Sequence, residues 1–219
     1  MTTSLILPEA FVKRDIVVVG ASAGGVEALR TLVGGLPADF PGAILVVLHI
    51  PPWAASEMAP ILSRSGPLPA IEPAARQKIE PGHIYVAPPD FHLIVEEDHV
   101  VRWKGPAEDH HRPSINTLFR SAAVGYRERV TGVVLSGTLD DGTAGLWWIH
   151  RFGGVSIVQD PEEAPFPDMP RSALQHVAID YVLGVSAMGP FLSQLVNRNG
   201  HPTPIEALAA QEQRKWKST

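Results

Sequence analysis

The sequence predicts an α/β fold: a doubly wound, mostly parallel sheet flanked by helices, with an antiparallel hairpin appended. Three observations carry this reading. Two unbroken apolar runs, Asp15-Ile-Val-Val-Val-Gly20 and Ala43-Ile-Leu-Val-Val-Leu48, have the composition of strands buried on both faces. Between them the apolar spacing becomes helical, which makes a strand, helix, strand unit of the kind that builds parallel sheets. Later, three short β-rich segments separated by turn residues have the layout of antiparallel strands.

Taken in order, the first strand spans 15–20 and the first helix 21–33, with Val26, Leu29, Leu32 and Val33 on one side and Pro37 ending it. The second strand, 43–48, stops at His49 before Pro51-Pro52. A helix over 56–63 follows, closed by Gly66-Pro-Leu-Pro69. Segments 83–87, 92–96 and 99–103 are the expected antiparallel strands, divided by Pro88-Pro89-Asp90 and Glu97-Asp98. Ser114 is placed to cap a helix over 114–124. The remaining alternation is a strand at 130–135, a helix at 143–152, a strand at 153–158, a short helix at 172–177, a strand at 181–185 and a helix at 188–196. No repeat or polar linker divides it, so 13–197 reads as one domain, followed by a tail, 198–219, that is either a last helix or a frayed end.

Composition narrows the chemistry. The 219 residues include no cysteine, which removes thiol nucleophiles, thiolate metal sites and disulfides and fits a reducing compartment. Lys and Arg number 18 against 23 Asp and Glu, a net charge of -5, with no basic run to form a nucleic-acid stripe. No apolar stretch approaches membrane-spanning length and the N-terminus lacks a signal-peptide layout, so a cytoplasmic protein without membrane insertion is expected.

In parallel sheets, ligands bind beyond the carboxyl ends of the strands. At those ends stand Ser22, within Gly20-Ala-Ser22-Ala-Gly24, then His49, then Asp140-Asp141. The first matches G-x-S-x-G, a tight strand-to-helix turn that exposes its serine. A serine, an imidazole and a carboxylate at one sheet edge would supply a nucleophile, a base and the group that orients the base. Singly, each has a plainer explanation: Ser22 as a turn or cap residue, His49 as a strand-end histidine bonded to backbone, and either aspartate as a helix cap in an Asp-Gly turn. Their coincidence at one edge favours the chemical reading.

Other features carry less. Gly20-x-Ser22-x-x-Gly25 is one substitution from a dinucleotide fingerprint, but serine replaces the glycine that lies against pyrophosphate and no acidic residue ends the second strand, so nucleotide binding ranks lower. Asp109-His110-His111 is read as a rim loop rather than a metal site. Arg112 and Arg171 either contact an acidic substrate or bond to strand-end carbonyls. Of Trp147 and Trp148, one should be core and the other partly exposed. No cofactor or metal is expected.

Six blocks in order resemble the CheB-type protein-glutamate methylesterases: Asp15 to Leu29, Val46 to Pro52, Ile79 to Asp90, His111-Arg-Pro-Ser-Ile-Asn116, Gly132 to Gly142, and Met169-Pro-Arg-Ser-Ala173. The resemblance runs from about residue 15 to 185. It implies a serine hydrolase that removes methyl esters from glutamates of chemoreceptors, with deamidation of glutamine as a second activity. It assigns Ser22 as nucleophile, His49 as base and Asp141, not Asp140, as third member, with backbone amides near Ala23 and Thr138 as oxyanion donors. Implied partners are a methylated chemoreceptor or similar signalling protein, and a methyltransferase or histidine kinase. The alternative is a catalytically weak member that acts by binding such partners. The chain departs from the family pattern in having Ala23 where a threonine is usual, and Thr138-Leu139-Asp140 where Met-Gly-x is usual, which puts leucine for glycine at the rim and adds a carboxylate. The family's N-terminal receiver domain does not fit before a first strand near Asp15, so a stand-alone catalytic unit is expected.

Overall fold

The computed structural model describes residues 12–197, and the expected tail lies outside them. In chain order its elements are β1 (Ile16–Ala21), α1 (Gly25–Gly34), β2 (Ala43–Leu48), α2 (Met58–Ser65), β3 (Ala70–Ile71), β4 (Arg76–Lys78), β5 (Ile84–Val86), β6 (His92–Glu96), β7 (His99–Trp103), α3 (Ile115–Tyr126), β8 (Val130–Val134), α4 (Thr143–Arg151), β9 (Val155–Gln159), α5 (Asp168–His176), β10 (Tyr181–Leu183) and α6 (Val185–Asn197). Seven strands form one sheet in the order β10-β9-β8-β1-β2-β5-β3, and every pairing in it is parallel.

The central strands are apolar on both faces because both faces are covered. Along β1, Val17, Val19 and Ala21 enter one hydrophobic cluster and Ile16 and Val18 the other, the period of two that a pleated strand imposes. The first cluster takes Leu29 and Leu32 of α1, Leu62 of α2 and Met188 and Leu192 of α6. The second takes Ile115, Leu118 and Phe119 of α3, Leu146 and Ile149 of α4, and Leu93 of β6. Strand order reverses at β1, with β2 on one side and β8 on the other, and the crevice beyond that point is where ligands bind in such folds.

Four expectations need correction. Segment 83–87 is not antiparallel: its core, β5, pairs parallel with β2, while the β6–β7 hairpin joins β4 in a separate antiparallel sheet. Ile84, Tyr85 and Val86 are all buried, as a strand covered on both faces requires, but three residues are too few for periodicity to reveal this. Helix α1 starts at Gly25 because residues 22–24 form the turn, and Val26 faces solvent at 38% exposure instead of joining Leu29 and Leu32. Helix α5 starts at Asp168, four residues early; Pro170 sits in its first turn, where the missing N–H breaks no helical bond, and so a proline-rich stretch that reads as loop is helical. Helix α6 likewise begins at Val185 and carries Pro190 within it. Of the two tryptophans, Trp147 is about half exposed as expected of one, while Trp148 is partly buried against the second cluster rather than a core residue.

Candidate active site

Ser22 lies directly beyond β1, in a turn that the sequence makes tight. Gly24 takes φ +74, the left-handed conformation that favours glycine, and starts α1. Gly25 N–H donates to Ser22 C=O at 2.9 Å, and Ser22 N–H donates to Ser136 C=O at 3.0 Å, tying the end of β1 to that of β8. Ser136 is in turn held by Gln159, whose side chain accepts from its N–H at 2.9 Å, while its hydroxyl donates to Ala23 C=O at 2.8 Å. Gly137 closes against the nucleophile turn: a Cβ there would lie 2.8 Å from Ser22 Cβ and collide with the Met169 sulfur. Only glycine permits that approach.

His49 lies just past β2, its N–H bonded to Ala21 C=O at 3.0 Å. Its imidazole Nδ1 is 3.2 Å from Ser22 Oγ, and its Nε2 is 2.8 Å from Asp141 Oδ2. A carboxylate only accepts, so the proton of the neutral ring resides on Nε2 and the lone pair on Nδ1 faces the serine hydroxyl. Asp141 is 2% exposed, yet it has four donors: His49 Nε2–H, Ile115 N–H at 2.8 Å, Asn116 N–H at 2.8 Å and the Ser114 hydroxyl at 3.2 Å. The two amides open α3, so the carboxylate sits on a helix N-terminus, whose dipole favours negative charge. Asp140 is exposed and takes no part.

The structure thus brings Ser22, His49 and Asp141 into one hydrogen-bonded chain. Thr138 is exposed beside Gly137, and Ala23 follows Ser22; among the described residues neither backbone amide has a protein acceptor. The two arginines each have protein partners of their own. Arg112 bonds to Asp90 through Nε at 2.9 Å and through a second guanidinium nitrogen, and to Gly105 C=O at 2.8 Å, which favours the structural reading. Arg171 is exposed on α5 and pairs with Glu162 at 3.4 Å.

His111 belongs to the segment read from the sequence as a rim loop, but no role at the site was assigned to it. Its ring stacks on His49, centroids 3.6 Å apart and planes within 11°. Burial, and then the neighbouring His49, hold its pKa below the usual histidine value of 6.5, with Asp141 and Asp109 acting in the opposite sense. The loop that carries it is braced at several points: Glu108 and His111 exchange backbone bonds at 3.1 and 2.9 Å, and Asn116 Nδ2 donates to Asp109 at 2.7 Å. The only signal in the sequence was its position at the head of the block that leads into α3.

Fold and site together define a class: a doubly wound α/β protein with a Ser-His-Asp chain at the topological switch point of its sheet. A family model for CheB methylesterase matches residues 17–192, and the chain belongs to that family. It is 36% identical over 186 residues to a putative protein-glutamate methylesterase/protein-glutamine glutaminase of Leptospira interrogans, covering 84% of this chain and 96% of that protein. It is 38% identical to protein-glutamate methylesterase/protein-glutamine glutaminase 5 of Anaeromyxobacter dehalogenans, covering 82% of this chain but 51% of that one. The crystal structure of the Thermotoga maritima CheB methylesterase catalytic domain superposes with a TM-score of 0.79 at 32% identity, over 84% of this chain and all of that one. No helix among the described residues is long and apolar enough to cross a membrane.

Proposed function

We propose that the chain is a serine hydrolase that removes methyl esters from glutamate side chains of a chemoreceptor-like signalling protein. The observation that carries this reading is the hydrogen-bonded series Ser22, His49, Asp141, at 3.2 and 2.8 Å, with the carboxylate anchored on the α3 N-terminus. Membership of the CheB methylesterase family points the chemistry at glutamyl esters.

His49 Nδ1 takes the hydroxyl proton as Ser22 Oγ attacks the ester carbonyl, while Asp141 faces the imidazolium and stabilises it. Negative charge on the carbonyl oxygen develops beside the Ala23 and Thr138 amides, which act as donors to it. The imidazolium returns its proton to the methoxide as the C–O bond breaks, and methanol leaves. Water, deprotonated by His49, then attacks the acyl-enzyme and releases glutamate and Ser22. With a glutamine amide the same sequence expels ammonia, and this second activity is part of the proposal, as is a cytoplasmic setting beside a kinase or methyltransferase.

Two measurements test it. A fluorophosphonate should label wild type at Ser22 and leave Ser22→Ala unlabelled. Membranes carrying a methyl-esterified chemoreceptor should release methanol with wild type and not with Ser22→Ala. A folded wild type that labels but releases no methanol would sink the methylesterase reading and leave a hydrolase of other specificity. Failure to label at all would favour the reading of a catalytically silent binding partner.

A further inference from the structure

Leu139 occupies a place that leucine resists. It lies between β8 and α4 with φ +65, a left-handed conformation in which a branched side chain crowds the backbone. Its side chain is 61% exposed and belongs to neither hydrophobic cluster. Glycine or asparagine would suit both the backbone and the solvent. The loop itself is firmly held: Gly137 N–H donates to Phe166 C=O at 2.9 Å, Met169 N–H to Gly137 C=O at 3.0 Å, and Thr143 N–H to Asp140 C=O at 3.0 Å. On one side of Leu139 this loop sets Gly137 against Ser22, and on the other it delivers Asp141 to His49. Leu139 is therefore a strained, exposed, apolar residue on the loop that frames the reacting atoms. Strain of this kind concentrates where a side chain must meet a ligand.

Two more exposed apolar residues stand on the neighbouring loops. Trp53, 86% exposed, follows His49 by four positions, and Phe166, 43% exposed, comes close enough to the nucleophile turn that a Cβ on Gly24 would lie 3.2 Å from its ring. The loops after β2 and β8, and the one that packs on Gly137, thus each carry an exposed apolar group, and of the three Phe166 lies against the nucleophile turn itself.

We propose that Leu139 is a specificity-determining contact for a protein substrate, packing with Trp53 and Phe166 against apolar side chains that border the esterified glutamate. The inference rests on the methylesterase reading and sharpens it. The substrate is a folded protein surface on which the glutamyl ester is flanked by apolar residues. An ester set among charged residues would leave this rim solvated and gain nothing from it. Covering the exposed part of a leucine side chain is worth about tenfold in affinity.

The test compares the full chain as wild type, Leu139→Asn and Leu139→Met on membranes carrying a methyl-esterified chemoreceptor. Methanol release is followed against receptor concentration, alongside thermal melts. Asparagine tolerates the left-handed backbone but removes the apolar contact, so Leu139→Asn should melt at a higher temperature, raise KM about tenfold and keep kcat within about twofold. Leu139→Met, which retains an apolar side chain, should keep KM within about threefold. An unchanged KM in Leu139→Asn overturns the contact, and a lowered melting temperature shows that Leu139 serves internal packing instead. A wild-type dimer in light scattering that Leu139→Asn dissociates assigns the rim to self-association and also overturns the proposal. Wild type that labels with fluorophosphonate but releases no methanol defeats the methylesterase reading, and this inference with it; methanol release with equal KM values defeats the inference alone.

Discussion

Asp141 receives four hydrogen bonds while almost wholly buried, and that environment decides what its replacement would do. In Asp141→Asn one carboxylate oxygen becomes an NH2 that must face donors, leaving buried N–H groups unpaired and removing the charge opposite the imidazolium. We expect a rate loss on the order of a thousandfold or more in methanol release and a stability loss of about 1–3 kcal/mol in urea unfolding. His111 makes a different prediction. Its folded pKa is depressed, so the unfolded chain binds the proton more readily; stability from this residue is full above the ordinary value of 6.5 and is lost as pH falls below it. Wild-type stability by denaturant titration should therefore fall as pH drops below about 6.5, and His111→Gln should lose less over the same range.

At the scale of elements, α3 does more than cover the sheet. Its first amides hold Asp141, and its Asn116 side chain accepts from Gly142 N–H at 3.0 Å and Gly145 N–H at 2.6 Å. Gly142, the residue before α4, offers no side chain of its own, so Asn116 caps α4 from a neighbouring helix. Asn116→Ala should cost about 1–2 kcal/mol in thermal or urea melts, the range of a lost N-cap, and should also weaken fluorophosphonate labelling of Ser22 because the same turn carries Asp141. Most of these elements were legible in the sequence. Helices and central strands declare themselves through local periodicity, and Ser114 was recognisable as a cap; its Oγ accepts from Thr117 N–H at 3.4 Å. Strand β5 was placed in the wrong sheet because its partner, β2, lies some forty residues earlier, and no local pattern records that pairing. Helix α5 was cut short because prolines, which normally mark loops, fall where a helix tolerates them.

For the whole molecule, a sheet with a core on each face means that the site rests on both cores at once. Leu45, fully buried in β2 and part of the second cluster, is far in sequence from Asp141 but belongs to the strand that delivers His49. Leu45→Ala should cost about 2–5 kcal/mol. If the chain unfolds as one unit, loss of far-ultraviolet circular dichroism and loss of Ser22 labelling should coincide along a urea titration, in this variant as in wild type. At the opposite sheet edge, Asp15 is mostly buried, yet the bonds of Arg129 and Lys13 outweigh its burial and hold its pKa low. That pair contributes stability above the ordinary aspartate range, lost as pH falls below about 4.

What the sequence determined by itself was the alternation of strands and helices, and with it the arrival of Ser22, His49 and Asp141 at the same edge of a sheet. That follows because side-chain period is a local property and because parallel strands point their carboxyl ends one way. Only the tertiary structure decided that Asp141 lies on the α3 N-terminus, that His111 covers the face of His49, that Arg112 braces a loop, and that Leu139 stands strained at the rim. Each of these depends on where one segment meets another distant in the chain, and such meetings are set by the packing of whole elements rather than by the residues on either side.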